Sequence, residues 1–216
     1  MLDCSRRFRR LTAAAAILAS AGCAPRLVPL VGSPVPARLP AAVLAPGHHR
    51  IVFTWELNDG DLVARGDGAA RLASPDSARL DFFLAGGLGT GAAILVGDDL
   101  RLPGGDPGSG LIPPAPLLWA ALGRLALPSS ADTIARMEGS TIRADLGNPV
   151  AWRVVFEQGR LSRVERVSEG RVREWVTRTS DGHIRYHNES DRRTLDLVIT
   201  TSNDTEPFDA AIWSFP

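Results

Sequence analysis

The residue with the most definite chemistry is Cys23, which directly follows Ser20-Ala21-Gly22. An arginine-rich segment at 6–10 precedes an apolar run of small residues at 11–21. The run is shorter than the roughly 20 apolar residues that a membrane-spanning helix needs, so it predicts a cleaved secretory signal over residues 1–22. A cysteine at the cleavage point needs an explanation. Cleavage after Ala21 or Gly22 in an ordinary signal, with Cys23 left as a plain thiol, is the alternative.

The segment that ends at Cys23 resembles the signal of bacterial lipoproteins. Ala21, Gly22 and Cys23 match that signal, whereas Ser20 stands where such signals usually carry Leu. The resemblance implies that Cys23 becomes the first residue and carries covalent lipid, including palmitate-type chains, as the only non-protein group. Several acyl chains anchor a protein stably where one chain is marginal. Ala24 after the cysteine, rather than Asp, implies the outer membrane, with the domain facing the periplasm.

The charge balance excludes one class of partner. All 24 basic residues are Arg, and the chain has 24 acidic residues. Removal of residues 1–22 takes away four Arg and one Asp, which leaves 20 Arg against 23 acidic side chains. A nucleic-acid binder needs a basic surface, so this chain is not expected to bind nucleic acid. The length fits one ordinary domain, and 44% hydrophobic residues exclude wholesale disorder.

Patterns for catalysis or cofactors fail on context. Residues 87–92 fit a loose dinucleotide-binding pattern, but Ala92–Val96 is strand-like where the fingerprint needs a helix. No GxSxG, HExxH or CxxC is present. The sequence therefore predicts no catalytic residue and no enzyme activity.

The candidate metal ligands are badly spaced. His183 and His187 share a strand face, with Cβ atoms roughly 13 Å apart, which is too far for one ion. His48-His49 has no further ligand at a suitable spacing. The sequence therefore predicts no metal site.

The remaining pattern is mainly β. Short alternating segments separated by Gly, Asp and Asn turns recur every 8–12 residues from His49 onward, which predicts an antiparallel meander of about eleven strands. Residues 23–47 are rich in Pro and are predicted to be an extended membrane tether, with the domain at 48–216. Prolines 113, 114 and 116 precede apolar positions 118, 121, 122 and 125, which predicts a short helix after the fifth strand. A long sheet curls, and this apolar helix is expected to cover its concave face.

The concave face has two interpretations. Its aromatic and leucine side chains either line a lipid cavity or form a dry core, because both use the same residue types. The candidates are Trp55, Phe82, Phe83, Leu117, Leu118, Trp119, Leu122, Trp152, Phe156 and Trp175.

This combination of strands, helical insertion and anchor resembles the LolA/LolB-like lipoprotein-carrier superfamily over about residues 49–213. That resemblance implies a half-barrel of eleven strands with a helical lid, a cavity for lipoprotein acyl chains, and a monomer. It is closer to the anchored LolB side, since a soluble carrier would lack Cys23. It also implies membrane lipid, lipoprotein acyl chains and a periplasmic carrier as partners. An envelope structural lipoprotein with a dry core is the alternative.

The local match lies at Gly87-Leu88-Gly89-Thr90. LolB-like receptors carry a protruding Leu there in a Pro-Leu-Gly-Thr context, so the resemblance implies a membrane-insertion loop formed by Gly87, Leu88 and Gly89. Gly87 stands in place of that Pro. The alternative is that Leu88 is a turn residue packed on the core.

Overall fold

A computed structural model describes residues 24–60, 62–87, 89–103, 112–128, 130 and 132–215. The described residues form a thirteen-stranded antiparallel sheet and one α-helix, so the mainly β prediction is confirmed. A short 3₁₀ helix, Ala210–Trp213, follows the last strand. The elements are β1 Ser33–Val35, β2 His48–Asp59, β3 Leu62–Ala73, β4 Ser77–Leu84, β5 Thr90–Val96, β6 Asp99–Arg101, α1 Ala115–Ala121, β7 Thr133–Glu138, β8 Thr141–Leu146, β9 Trp152–Glu157, β10 Arg160–Ser168, β11 Arg171–Arg178, β12 His183–Asn188 and β13 Arg193–Asp204.

The connectivity forces the helical segment across the sheet. The strand order is β1-β7-β8-β9-β10-β11-β12-β13-β2-β3-β4-β5-β6, so β2 lies in the interior and pairs with β13. The chain runs outward from β2 to the edge strand β6, then resumes at β7 near the opposite edge. The connection that contains α1 must therefore pass over one face of the sheet.

The position of α1 shows that the sheet is curled. The helix contacts β10, β11 and β12, while Trp119 within it donates a hydrogen bond of 2.6 Å from Nε1 to the carbonyl of Gly97, at the β5–β6 turn. β5 lies six strands from β11, about 29 Å in a flat sheet at the usual strand spacing. A helix is only about 10 Å across, so the two regions meet through curvature of the sheet.

The predicted strand count of about eleven omitted β1 and β7. β1 contains Pro34 and pairs only with β7, as an edge strand can. β7 has an inverted apolar pattern: Ala135 is buried, whereas Ile134 is 63% exposed. With these two strands added, α1 follows the sixth strand rather than the fifth.

Residues 24–47, predicted to be an extended membrane tether, make several contacts with the domain. The amide of Leu27 donates to the carbonyl of Gly170, and the amide of Val172 donates to that of Pro25. Arg171 donates to the carbonyl of Ala24 over 2.8 Å. Leu44 is buried in the core. A proline-rich segment can make these contacts because it contributes mainly carbonyl acceptors. Proline retains its carbonyl although it lacks an amide N–H.

The core lies between the concave face and the helix. Side chains alternate along the strands, so that Ala78, Leu80 and Phe82 of β4 are buried while Arg79 and Asp81 lie on the outer face. The outer face of β4 is not bare, because Arg79 donates to the carbonyl of Ile212 in the C-terminal 3₁₀ helix. The concave face is therefore apolar and the outer face is largely ionic.

Candidate functional site: the covered concave face

The helix α1 is apolar on every side that the sheet touches. Pro114 caps its N-terminus without a side-chain hydrogen bond, and a proline follows in the first turn. Five of its seven residues, Leu117 to Ala121, are buried. A helix that is this short, has no charged face and has no side-chain cap gains its stability from packing rather than from intrinsic propensity.

A small apolar cavity separates α1 from the sheet. Its volume is about 30 Å³, which is room for about one water molecule. Ligand pockets for drug-sized molecules usually measure about 300–1,000 Å³. The concave face is therefore nearly filled by the helix in this conformation. The lining is Ile51, Phe53, Ala70, Leu80, Phe82, Pro113, Leu118, Ala121, Leu122, Arg178, Ile184, Tyr186, Leu195, Leu197 and Ile199.

Eight of the ten predicted cavity residues lie in or against this core. Phe82, Leu118 and Leu122 line the cavity itself. Trp55 packs edge-to-face on Phe82, with ring centroids 5.8 Å apart. The others belong to the same packed cluster without lining the cavity: Leu117, Trp119, Trp152 and Phe156. Lipid contact by these residues stays a prediction.

Phe83 and Trp175 are corrections, because both lie on the outer face. Phe83 is 46% exposed, one position beyond the buried Phe82. Trp175 neighbours the buried Val176 and carries the guanidinium of Arg163 over its ring at 4.4 Å. Strand side chains alternate between faces, so neither residue can line the concave cavity.

One end of the concave face, here named the Glu174 end, is closed by a polar cluster. The buried carboxylate of Glu174 accepts hydrogen bonds from Arg166 Nε at 2.6 Å, Asn188 Nδ2 at 3.0 Å and Tyr186 Oη at 3.3 Å. Burial first, and then the Glu174 charge, raise the pKa of the Tyr186 hydroxyl above its ordinary value. Each buried polar group in this cluster thus has a partner.

The other end, named the Arg178 end, is open. Arg178 lies four residues further along β11 and on the same face as Glu174, about 13 Å away at the usual strand rise. It donates from Nη1 to the carbonyl of Ala121, the last residue of α1. Burial, and then the nearby Arg160 charge, lower the pKa of the Arg178 guanidinium. Arg178 thus both lines the apolar cavity and holds the C-terminus of the helix.

The β4–β5 loop contains the predicted insertion residues. Gly87 has a positive φ of 74°, which favours glycine, and donates its amide to the carbonyl of Leu84. The carbonyl of Gly89 accepts from the amide of Leu84 over 3.1 Å. Leu88 lies outside the described residues, as do Cys23 and the signal segment. Their roles remain predictions.

The histidines have separate local partners. His183 Nε2 lies 3.2 Å from the carboxylate of Asp196, and His187 Nδ1 lies 2.9 Å from the hydroxyl of Thr194. Across the residues that the structure describes, His, Cys, Asp and Glu form no group of three or more suited to a metal ion. Within the same residues, no helix has the length and apolarity to cross a membrane.

Comparison with known proteins finds likeness only among solved structures. No protein-family model and no curated protein sequence matches the chain. A LolA superfamily protein from Nitrosomonas europaea is 10% identical with a TM-score of 0.47, over 81% of this chain and 93% of that one. A domain described as a candidate for outer membrane lipoprotein sorting, from Vibrio parahaemolyticus, is 8% identical with a TM-score of 0.47, over 77% and 89%. A DUF1329 family protein from Desulfovibrio piger is 8% identical with a TM-score of 0.47, over 78% and 90%.

Proposed function

We propose that this protein binds the acyl chains of lipids or lipoproteins on its concave face, beneath α1, and helps deliver them to the outer membrane in the manner of LolB. The observation that carries the proposal is an apolar helix laid over an apolar concave sheet, with a residual cavity between them. Displacement of α1 would expose a continuous apolar trough. Each CH₂ that enters it gains about 0.8 kcal/mol, so several chains bind well without covalent chemistry.

The attachment of α1 supports movement of this kind. Among the described residues, the polar contacts that join the helix and its final turn to the sheet are few: Trp119 to the carbonyl of Gly97, and Arg178 to that of Ala121. Gly123, with φ of 91°, follows directly and permits a change of chain direction. Apolar contacts with the sheet can be replaced by similar contacts with acyl chains, which keeps the cost of opening low.

The second candidate is an envelope structural lipoprotein with a dry core. The cavity volume of about 30 Å³ favours this alternative, because the concave face needs no ligand to be filled. The two functions differ in one property, namely whether α1 yields to an apolar ligand.

Uptake of the uncharged dye N-phenylnaphthylamine by the purified protein tests the difference. We expect fluorescence enhancement at micromolar dye, together with co-purified lipid in mass spectra of an organic extract. Ala121→Leu places extra volume in the cavity and should lower uptake about tenfold, since an overpacked site costs about 1–3 kcal/mol. The same change at the exposed Ala45 is the control. A lipid-free protein that takes up no dye would establish the dry-core function.

Delivery has its own test at Leu88. We expect Leu88→Glu to retain dye binding but to slow transfer of bound lipid into vesicles, because a carboxylate opposes entry into the bilayer. Ile134→Glu, on the exposed outer side of β7, is the matched control. Equal transfer by both variants would remove Leu88 from the delivery step.

Acylation of Cys23 is tested in parallel by Cys23→Ser, which should leave the precursor without lipid in mass spectra.

A further inference from the structure

A second, larger cavity opens beside the C-terminus of α1. Its volume is about 650 Å³, roughly twenty times that of the apolar cavity beneath the helix. Hydroxyl groups and backbone of three turns form much of its wall, and Arg160 and Arg178 supply two positive charges. The hydroxyl groups of the wall belong to Ser140, Thr141, Ser162, Thr179 and Ser180.

Neither arginine of this cavity has a carboxylate partner among the residues that the structure describes. Most arginines of the outer face pair with Asp or Glu, as Arg153 does with Asp145 at 2.6 Å. No described carboxylate forms an ion pair with Arg160 or Arg178. Glu157 is the one acidic residue of the described wall, so the wall carries a net positive charge. Arg178 is also partly removed from water, and the two cations lie close enough that Arg160 perturbs Arg178.

The placement of Arg178 joins this cavity to the acyl-binding face. Its side chain lines both cavities, so its charged group lies at the boundary between an apolar space and a polar one. Leu161 and Ala42 add apolar surface to the mouth of the larger cavity. A ligand that fills both spaces needs an apolar chain and an anionic head joined end to end.

We infer that Arg160 and Arg178 form a binding site for the anionic headgroup, carboxylate or phosphate, of an amphiphile whose acyl chain enters beneath α1. The inference rests on the proposed acyl-binding function and specifies its ligand. Guanidinium groups suit both oxyanions because they present donors in a planar fork. A headgroup that takes Arg178 as partner also competes with the Ala121 carbonyl, so entry of the head and release of the helix share one contact.

Matched ligands with one chain length test the site. Decanoate, decyl phosphate and uncharged decanol are titrated into the purified protein, with displacement of N-phenylnaphthylamine as the signal. We expect at least one anionic ligand to bind about tenfold more tightly than decanol, a difference of about 1.4 kcal/mol. The better of the two anions identifies the headgroup. Inorganic phosphate and acetate alone should displace no dye at the same concentrations.

Two variants locate the effect. Arg160→Gln, at an exposed side chain, should remove most of the preference for the anion while leaving decanol affinity unchanged; Arg178→Gln should remove it entirely. Arg185→Gln, an outer-face arginine paired with Asp196, is the control. Equal affinity for decanol and both anions would overturn the headgroup site while leaving acyl binding intact. Displacement by inorganic phosphate alone would replace it with a free-anion site. Failure of every ligand, decanol included, would overturn the proposed function itself.

Discussion

Each end of the concave face contains a charged side chain of β11, but the two charges have different partners. At the Glu174 end, a buried carboxylate has three hydrogen-bond donors and the cluster closes the face. At the Arg178 end, a half-buried guanidinium has a helix carbonyl as its partner and also lines an open cavity. Both charges lie on β11, four residues apart.

The Glu174 end is expected to stay closed, whereas the Arg178 end can open. A polar cluster in which every group is hydrogen-bonded is rigid, because loss of any member leaves a buried polar group without its partner. A single charged contact to a backbone carbonyl can be exchanged for another oxygen at little net cost. The Glu174 end therefore fixes the sheet, and access to the concave face is expected at the Arg178 end.

The largest effect should follow from breaking the Glu174 end. Glu174→Ala leaves Arg166, Tyr186 and Asn188 without their shared acceptor, and we expect a loss of about 2–3 kcal/mol in the free energy of unfolding, less than for a fully buried pair because Arg166 reaches solvent. Urea denaturation measures it. Glu169→Ala, at an exposed pair with Arg173, should change stability by less than about 0.5 kcal/mol. Equal losses in the two variants would contradict the difference between the ends.

A smaller effect should follow at the Arg178 end, and it should be local. Arg178→Met removes the contact to the Ala121 carbonyl, a charged hydrogen bond worth about 1.5 kcal/mol, so opening of α1 should become about tenfold more frequent. Hydrogen exchange at the Leu122 amide, which bonds within the helix, reports that opening. Arg185→Met should leave the exchange rate unchanged. Slower exchange, or loss spread over the whole sheet, would show that Arg178 supports the fold rather than the helix.

The smallest effect concerns the single tyrosine of the chain. Because burial and then Glu174 raise the Tyr186 pKa, the folded state keeps the phenol proton at a pH where the unfolded chain loses it. Stability is therefore full below about pH 10 and falls as the pH rises above it. Absorbance at 295 nm should show no phenolate in the folded protein near pH 10. Tyr186→Phe should cost about 1 kcal/mol at neutral pH and remove that alkaline loss. Phenolate formation at pH 10 without unfolding would mean that the Glu174 end is open to solvent.

The fold was accessible to sequence reasoning where local patterns suffice. Hairpin turns and alternating segments predict most strands, and Pro followed by apolar spacing predicts α1. β7 escaped because its large apolar residue Ile134 faces outward, so the usual alternation is inverted. β1 escaped because three residues around a proline carry almost no strand signal.

The site was less accessible because its contacts join distant strands. Two aromatic residues in succession, Phe82 and Phe83, cannot both face the core, and only the register with buried Leu80 decides between them. On β11 the acidic Glu174 is inside and the aromatic Trp175 outside. That inversion depends on Asn188 and Tyr186 from the neighbouring strand, which sequence spacing does not bring together. Sequence reasoning also missed Arg160 and Arg178 of the open cavity, because they come from different strands.

The docking of the N-terminal segment has a geometric consequence for an anchored protein. Ala24 is already held by Arg171, and Pro25 and Leu27 are held by the same edge of β11. If Cys23 carries lipid, the anchor has no slack: the first docked residue is its immediate neighbour. The domain of such a protein is held close to the membrane and does not move freely above it. With that anchor, the start of β11 would lie next to the bilayer, and the Arg178-bearing end of that strand would lie farther from it.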